Sequence, residues 1–132
     1  VPINLDFTDV KPPEPLPEGN VILKVVDCQV KPGKKDREHL VIHVRYELEQ
    51  PTEFAGRKIR DWISLHPDAI WSAKTWVASL LRIDEEDVTE FSLNEEAIVG
   101  ELIGATLVEG DEYRGRKPMN IATYFNPDEY DL

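Results

Sequence analysis

From Glu38 to Leu48 apolar and polar residues alternate strictly, so that Leu40, Ile42, Val44, Tyr46 and Leu48 share one face of an extended chain. His39, Val41, His43, Arg45 and Glu47 share the other, and burying that polar face without partners would cost free energy. The stretch from Arg57 to Leu65 alternates in the same way. Ile59, Asp61, Ile63 and Leu65 point inward, and Lys58, Arg60, Trp62 and Ser64 point to solvent. Before both lies Val21 to Val30, apolar enough to be a strand buried along much of its length. Ala69 to Ile83 changes period, with Ile70, Trp71, Lys74, Val77, Leu80 and Leu81 at the spacing of an amphipathic helix. Leu102 to Glu109 and Lys117 to Phe125 read as two further strands, a hairpin joined through Gly110 to Arg116.

The connecting segments carry their own signals. Residues 1 to 18 contain five prolines and no hydrophobic period, which predicts an extended arm, pinned to the domain by Leu5, Phe7 and Leu16. Lys31 to Arg37 is a loop turned by Pro32-Gly33, and Glu49 to Gly56 is a second loop, with Pro51 unable to donate to a ladder. Asp84 to Leu93 is acidic and irregular, and Ser92-Leu93-Asn94-Glu95 has the form of a capping box that opens a short helix to Val99, ended by Gly100. The last seven residues are acidic with an apolar end.

Three strands, a helix and two strands is the order of the OB-fold, so the expected class is mainly β, a five-stranded barrel with a helix between strands 3 and 4. The 132 residues, 41% of them hydrophobic, suit one such domain over 19–125, with the arm before it and the tail at 126–132. In this fold nucleic acid lies across strands 2 and 3, bordered by the loops between strands 1 and 2 and between strands 4 and 5.

A net charge of -11 argues against nucleic acid unless the positive charge is concentrated. It is: of 15 Lys and Arg, eight fall between Lys31 and Arg60 and three more at Arg114, Arg116 and Lys117, whereas 84–101 holds eight acidic residues and no basic one. The expected nucleic-acid-binding set is therefore Lys31, Lys34, Lys35 and Arg37 of the first loop, His43, Arg45, Lys58, Arg60 and Trp62 of strands 2 and 3, and Tyr113, Arg114, Arg116 and Lys117 of the hairpin. A base of any sequence can stack on an indole while cations track phosphates. Each part has a plainer reading. Trp62 would pack under the arm, the basic loop would be an ordinary solvated turn, and Tyr113 would merely cover the hairpin tip.

Other chemistry is weakly signalled. His39 and His43 are four residues apart on a strand, roughly 13 Å and too far for one metal ion. Asp84-Glu85-Glu86-Asp87 lacks the spacing and glycine of a calcium loop and reads as a solvated patch. No phosphate-cradling glycine motif or nucleophile signature is present, so neither an enzyme, a cofactor nor a metal is expected. Cys28 is the sole cysteine, which excludes an intramolecular disulfide and fits a reducing compartment. No apolar run has the length of a membrane span and no signal-peptide pattern opens the chain, so a soluble intracellular protein is expected. The chain begins at Val1, from which we expect an initiator methionine or more to precede it.

The chain also resembles, over most of its length, a family of small phage-encoded proteins grouped with phage single-stranded-DNA-binding OB-fold proteins. The similarity is carried by Asp6-Phe7-Thr8-Asp9-Val10 with Pro15-Leu16-Pro17-Glu18-Gly19, by Gly56-Arg57-Lys58-Ile59, by the tryptophan-bearing helix with Leu81-Arg82-Ile83, and by Val99-Gly100. The resemblance implies coating of exposed single strands during phage replication or recombination, in the cytoplasm of an infected bacterial cell. The strong acidity of 84–101 departs from it. The acidic tail would dock a replication or recombination partner, occupy the protein's own groove, or simply fray. Trp71, Trp76 and the arm are the places where a homodimer would form. A protein-interaction module is the alternative to DNA binding.

Overall fold

The computed structural model describes residues 2–6, 8, 16–34, 38–111 and 118–130. Five antiparallel strands, β1 (Gly19–Pro32), β2 (Leu40–Gln50), β3 (Lys58–Ser64), β4 (Leu102–Glu109) and β5 (Met119–Phe125), form one sheet in the order β3-β2-β1-β4-β5. The sheet curls into a half-barrel of OB-like shape, and helix α1 (Ile70–Leu81) lies between strands 3 and 4 in sequence and packs on β3, β4 and β5.

The central strand makes the curl. Gly19 to Lys24 pairs with β4, and from Asp27 onward β1 pairs with β2 alone. Between them a bulge at Val26 inserts one residue, which bends a strand and increases its twist. It also switches the parity of the side chains. Val21, Leu23 and Val25 are buried before it and Cys28 after it, so that Asp27, Gln29 and Lys31 face away from the core. Before the bulge Ile22 is buried too, so 21–23 is covered on both faces as the apolar run suggests, and only beyond the bulge does the strand alternate, with Cys28 buried and Gln29 exposed.

On β2, Ile42, Val44, Tyr46 and Leu48 enter the core as their alternation requires, while Leu40, at the end of the ladder, is 44% exposed. The buried stripe of the helix keeps Val77 and Leu80 of the expected set and replaces the rest. Ala73, Trp76 and Val77 face the sheet, with Leu80 partly buried, whereas Ile70, Trp71 and Leu81 are exposed. The spacing i, i+3, i+4 fits either stripe, and the sheet selects the one that brings the Trp76 indole to Tyr46.

Four polar side chains continue this contact through the core. Trp76 Nε1 donates to Tyr46 Oη at 3.0 Å, the Tyr46 and Tyr124 hydroxyls are 2.9 Å apart, and Tyr124 Oη donates to Asp61 Oδ2 at 2.7 Å. Because the indole only donates and the carboxylate only accepts, Tyr46 must donate to Tyr124, and every group is satisfied. The chain runs from α1 through β2 and β5 to β3. It thereby joins the two edge strands, which share no ladder.

Helix and sheet also meet at Gly104. Its N–H donates to Ser79 Oγ at 3.1 Å, and that hydroxyl donates to the Phe125 carbonyl at 2.6 Å. A Cβ at position 104 would lie 2.7 Å from the Phe125 carbonyl oxygen, backbone that cannot move aside. Gly104→Ala is therefore expected to destabilise the domain by about 1–3 kcal/mol, the usual cost of overpacking. A urea-unfolding midpoint equal to that of the wild type would refute the close approach.

The short helix expected from Ser92 to Val99 does not form. Successive turns occupy 95–100, and the capping side chain is Asn94, whose Oδ1 accepts from the N–H groups of Glu96 and Ala97. Glu95 is diverted to β1, where its Oε2 accepts from Val30 N–H at 3.1 Å, a donor left without a neighbour once β1 has parted from β4. A short 3-10 turn, Glu85–Asp87, interrupts the otherwise irregular acidic segment before it. In the arm, Leu16 packs against the core as expected, Leu5 is exposed, and Phe7 lies outside the described residues. The tail folds back as a turn at Pro127–Glu129, capped by Asn126 and held by an ion pair of 3.0 Å between Asp128 and Arg82 at the end of α1.

Candidate nucleic-acid interface

The outward face of β1, β2 and β3 is set by register. Gln29 lies beside His43 and His43 beside Trp62; Asp27 lies beside Arg45 and Arg45 beside Arg60; Glu47 lies beside Lys58. Trp62 is 52% exposed, an unusual position for the largest apolar side chain. The Arg60 guanidinium carbon sits 5.0 Å from the centre of the Trp62 ring, and His43 meets the indole edge-on with centroids 6.2 Å apart. These contacts leave the indole half exposed at the surface of the sheet.

Trp62 borders three adjoining hollows. One, of about 260 Å³, is lined by Gln29, Lys31, His43, Arg45 and Arg60. A second, of about 470 Å³, lies between Leu16, Lys58, Arg60 and the start of β5 at Pro118 to Asn120. The third lies toward the helix. The hairpin residues Tyr113, Arg114, Arg116 and Lys117 fall outside the described residues, as do Lys35 and Arg37 of the first loop. The chain re-enters the described part beside Lys58, Arg60 and Trp62.

The charges on this face are unequal. Arg45 directs Nε and Nη2 to Asp27 Oδ2, at 3.2 and 2.9 Å, so its charge is largely answered within the protein. Lys31, Lys34, Lys58 and Arg60 make no ion pair among the described residues. Burial, with the charges of Lys31 and Lys34 beside it, holds the His43 imidazole below its ordinary value, so it is neutral at pH 7. Its role there is that of an aromatic edge. Protonation would add a cation as the pH falls, and oligonucleotide affinity is expected to rise between about pH 7 and pH 5 more steeply in the wild type than in His43→Gln. Parallel pH profiles would exclude His43 from the interface. The sign for stability is opposite: with the folded value depressed, the His43 contribution is lost as the pH falls below 6.5 toward it.

Residue-type spacing did not single out Asp27, which neutralises Arg45, or the pairing of Asp61 with Tyr124. The inward place of Asp61 in an alternating strand was the only sign that it required a partner. Burial raises the Asp61 carboxyl above the usual range, against the lowering effect of its bonds from Tyr124 Oη and Trp62 N–H.

The remaining polar clusters hold no comparable geometry. His39 packs its ring on His66 at 4.5 Å, away from the Trp62 contact of His43, and no group of three metal-ligating side chains occurs among the described residues. The Cys28 thiol is 5% exposed and pushed up to about 11 by burial first and by Glu95 and Asp27 next, which leaves it unreactive. Between α1 and 88–93 runs an apolar groove of about 600 Å³ that includes Ile70, Trp71, Val77, Phe91 and Leu93. Among the described residues no helix is long and apolar enough to cross a membrane. No protein-family model matches the chain, and no curated protein matches it at a significant level.

Proposed function

We propose that this protein binds single-stranded DNA without strong sequence preference, by charge and stacking and without catalysis, in phage DNA replication or recombination. The observation that carries the reading is Trp62: a half-exposed indole on the outward face of edge strand β3, with Arg60 over its ring, Lys31 and Lys58 lining the hollows it borders, and Lys34 near the adjacent His43. Such a surface gives a base its π-face and the phosphates their counter-charges, and it asks for no particular sequence. The phage setting rests on the resemblance of the chain alone.

The test is fluorescence anisotropy of a labelled thymidine oligomer at low and moderate salt, with a duplex of equal length as control. Each phosphate neutralised on a single strand adds a log-log slope of about -0.7, so Lys31, Lys34, Lys58 and Arg60, the cations of this face without an ion pair among the described residues, set an expected slope of roughly -3. Equal affinity for the duplex, or no binding at low salt, would reject the proposal. A second reading, a module that docks a replication or recombination protein, has the apolar groove beside Trp71 in its favour. Salt-insensitive association with a protein, lost in Trp71→Glu, would support it over DNA.

A further inference from the structure

Strands β3 and β5 are the open edges of the half-barrel, and the gap between them at the start of α1 holds the third hollow beside Trp62. It measures about 210 Å³, the scale of one planar base, and both exposed tryptophans, Trp62 of β3 and Trp71 of α1, line it. Its other walls include Ser72, Thr75, Asp61 and Tyr124. Aromatic rings beside a carboxylate and hydroxyls are the parts with which proteins hold an unstacked base by its Watson–Crick edge.

The acceptor arithmetic narrows the choice of base. Asp61 Oδ1 accepts from Trp62 N–H at 2.9 Å and Oδ2 from Tyr124 Oη at 2.7 Å. An ionised carboxylate has about four lone-pair sites, so each oxygen retains one. Two parallel acceptors match two parallel donors. Guanine offers them in N1–H and the N2 amino group, whereas adenine and cytosine set a ring acceptor beside their amino group and thymine flanks N3–H with two carbonyls. The geometry points to this hollow as a seat for one guanine of the bound strand, with Asp61 reading its Watson–Crick edge and Trp62 and Trp71 covering its faces. The inference rests on the proposed single-strand binding and adds one selective position to an otherwise tolerant surface.

The experiment compares thymidine oligomers that carry one internal dG, one inosine, or neither, titrated against the intact chain. A single dG is expected to tighten binding at least about fivefold, the low end for a bidentate base contact. Inosine, which lacks the N2 amino group, should fall near the all-thymidine oligomer. Asp61→Asn should bring the dG-to-dT affinity ratio to about one. Since that variant also disturbs the hydroxyl chain, Trp71→Ala, at an exposed position, is measured beside it and should lower the same ratio. If the wild type binds dG-containing and all-thymidine oligomers equally, the seat is refuted and general binding stands. If it binds neither at low salt, both fall.

Discussion

Trp62→Ala is expected to weaken binding of a thymidine oligomer about 5- to 150-fold, because stacking on an aromatic side chain is worth about 1–3 kcal/mol per base. The same variant should unfold in urea close to the wild-type midpoint. Trp62 is half exposed and its ring contacts are to the side chains of Arg60 and His43 on the surface, so little core packing is lost with it. Trp62→Phe keeps a π-face and should retain part of the affinity. An unchanged dissociation constant in Trp62→Ala, with the fold intact, would remove stacking from the mechanism and leave only charge. Conversely, loss of stability together with affinity would mean that the indole is a structural element after all, as when it packs under the arm.

Trp76→Ala, five positions along the helix from exposed Trp71, should behave in the opposite way. Trp76 is fully buried, the largest side chain that is, and its Nε1 starts the donor chain through Tyr46 and Tyr124 to Asp61. Removing a buried Trp side chain costs about 3–5 kcal/mol. Against the total stability of a domain of this size, about 5–15 kcal/mol, that brings the fold near its threshold. The measurement is equilibrium urea unfolding of Trp76→Ala beside Trp76→Phe, which retains most of the apolar contact and loses the indole donor. A loss under about 1 kcal/mol in the alanine variant would contradict the packing of α1 on the sheet. The paired outcome, affinity lost at 62 and stability lost at 76, separates two tryptophans that composition treats alike.

The two tryptophans also mark how far local pattern reaches. Alternation has a period of two residues, so it assigns faces within one strand without reference to anything distant. That is why Tyr46 and Ile63 could be placed in the core and Trp62 and Arg60 outside it from sequence. The strand-helix-strand order likewise follows from local signals, and with it the expected fold class. The helical stripe was ambiguous because Ile70, Trp71 and Leu81 compete with Ala73 and Trp76 for the same spacing, Val77 serving either, and only docking on the sheet decides between them. The helix expected before Val99 failed for a similar reason: Glu95, the residue meant to answer the cap, is drawn to Val30 N–H, 65 positions earlier.

By itself the sequence determined the strands, their order, the polar face of β2 and β3 and the concentration of cations along it, since each depends on neighbours a few residues apart. Tertiary structure alone decided the phase switch of β1 at Val26, the neutralisation of Arg45 by Asp27, and the meeting of Trp62, Trp71, Asp61 and Tyr124 around one hollow. Asp61 and Tyr124 are 63 positions apart, and their hydrogen bond exists because a curled five-stranded sheet brings its two edge strands together. Curvature is a property of the whole sheet, accumulated from the twist of every strand and from the bulge in the central one, and no local window of the chain contains it.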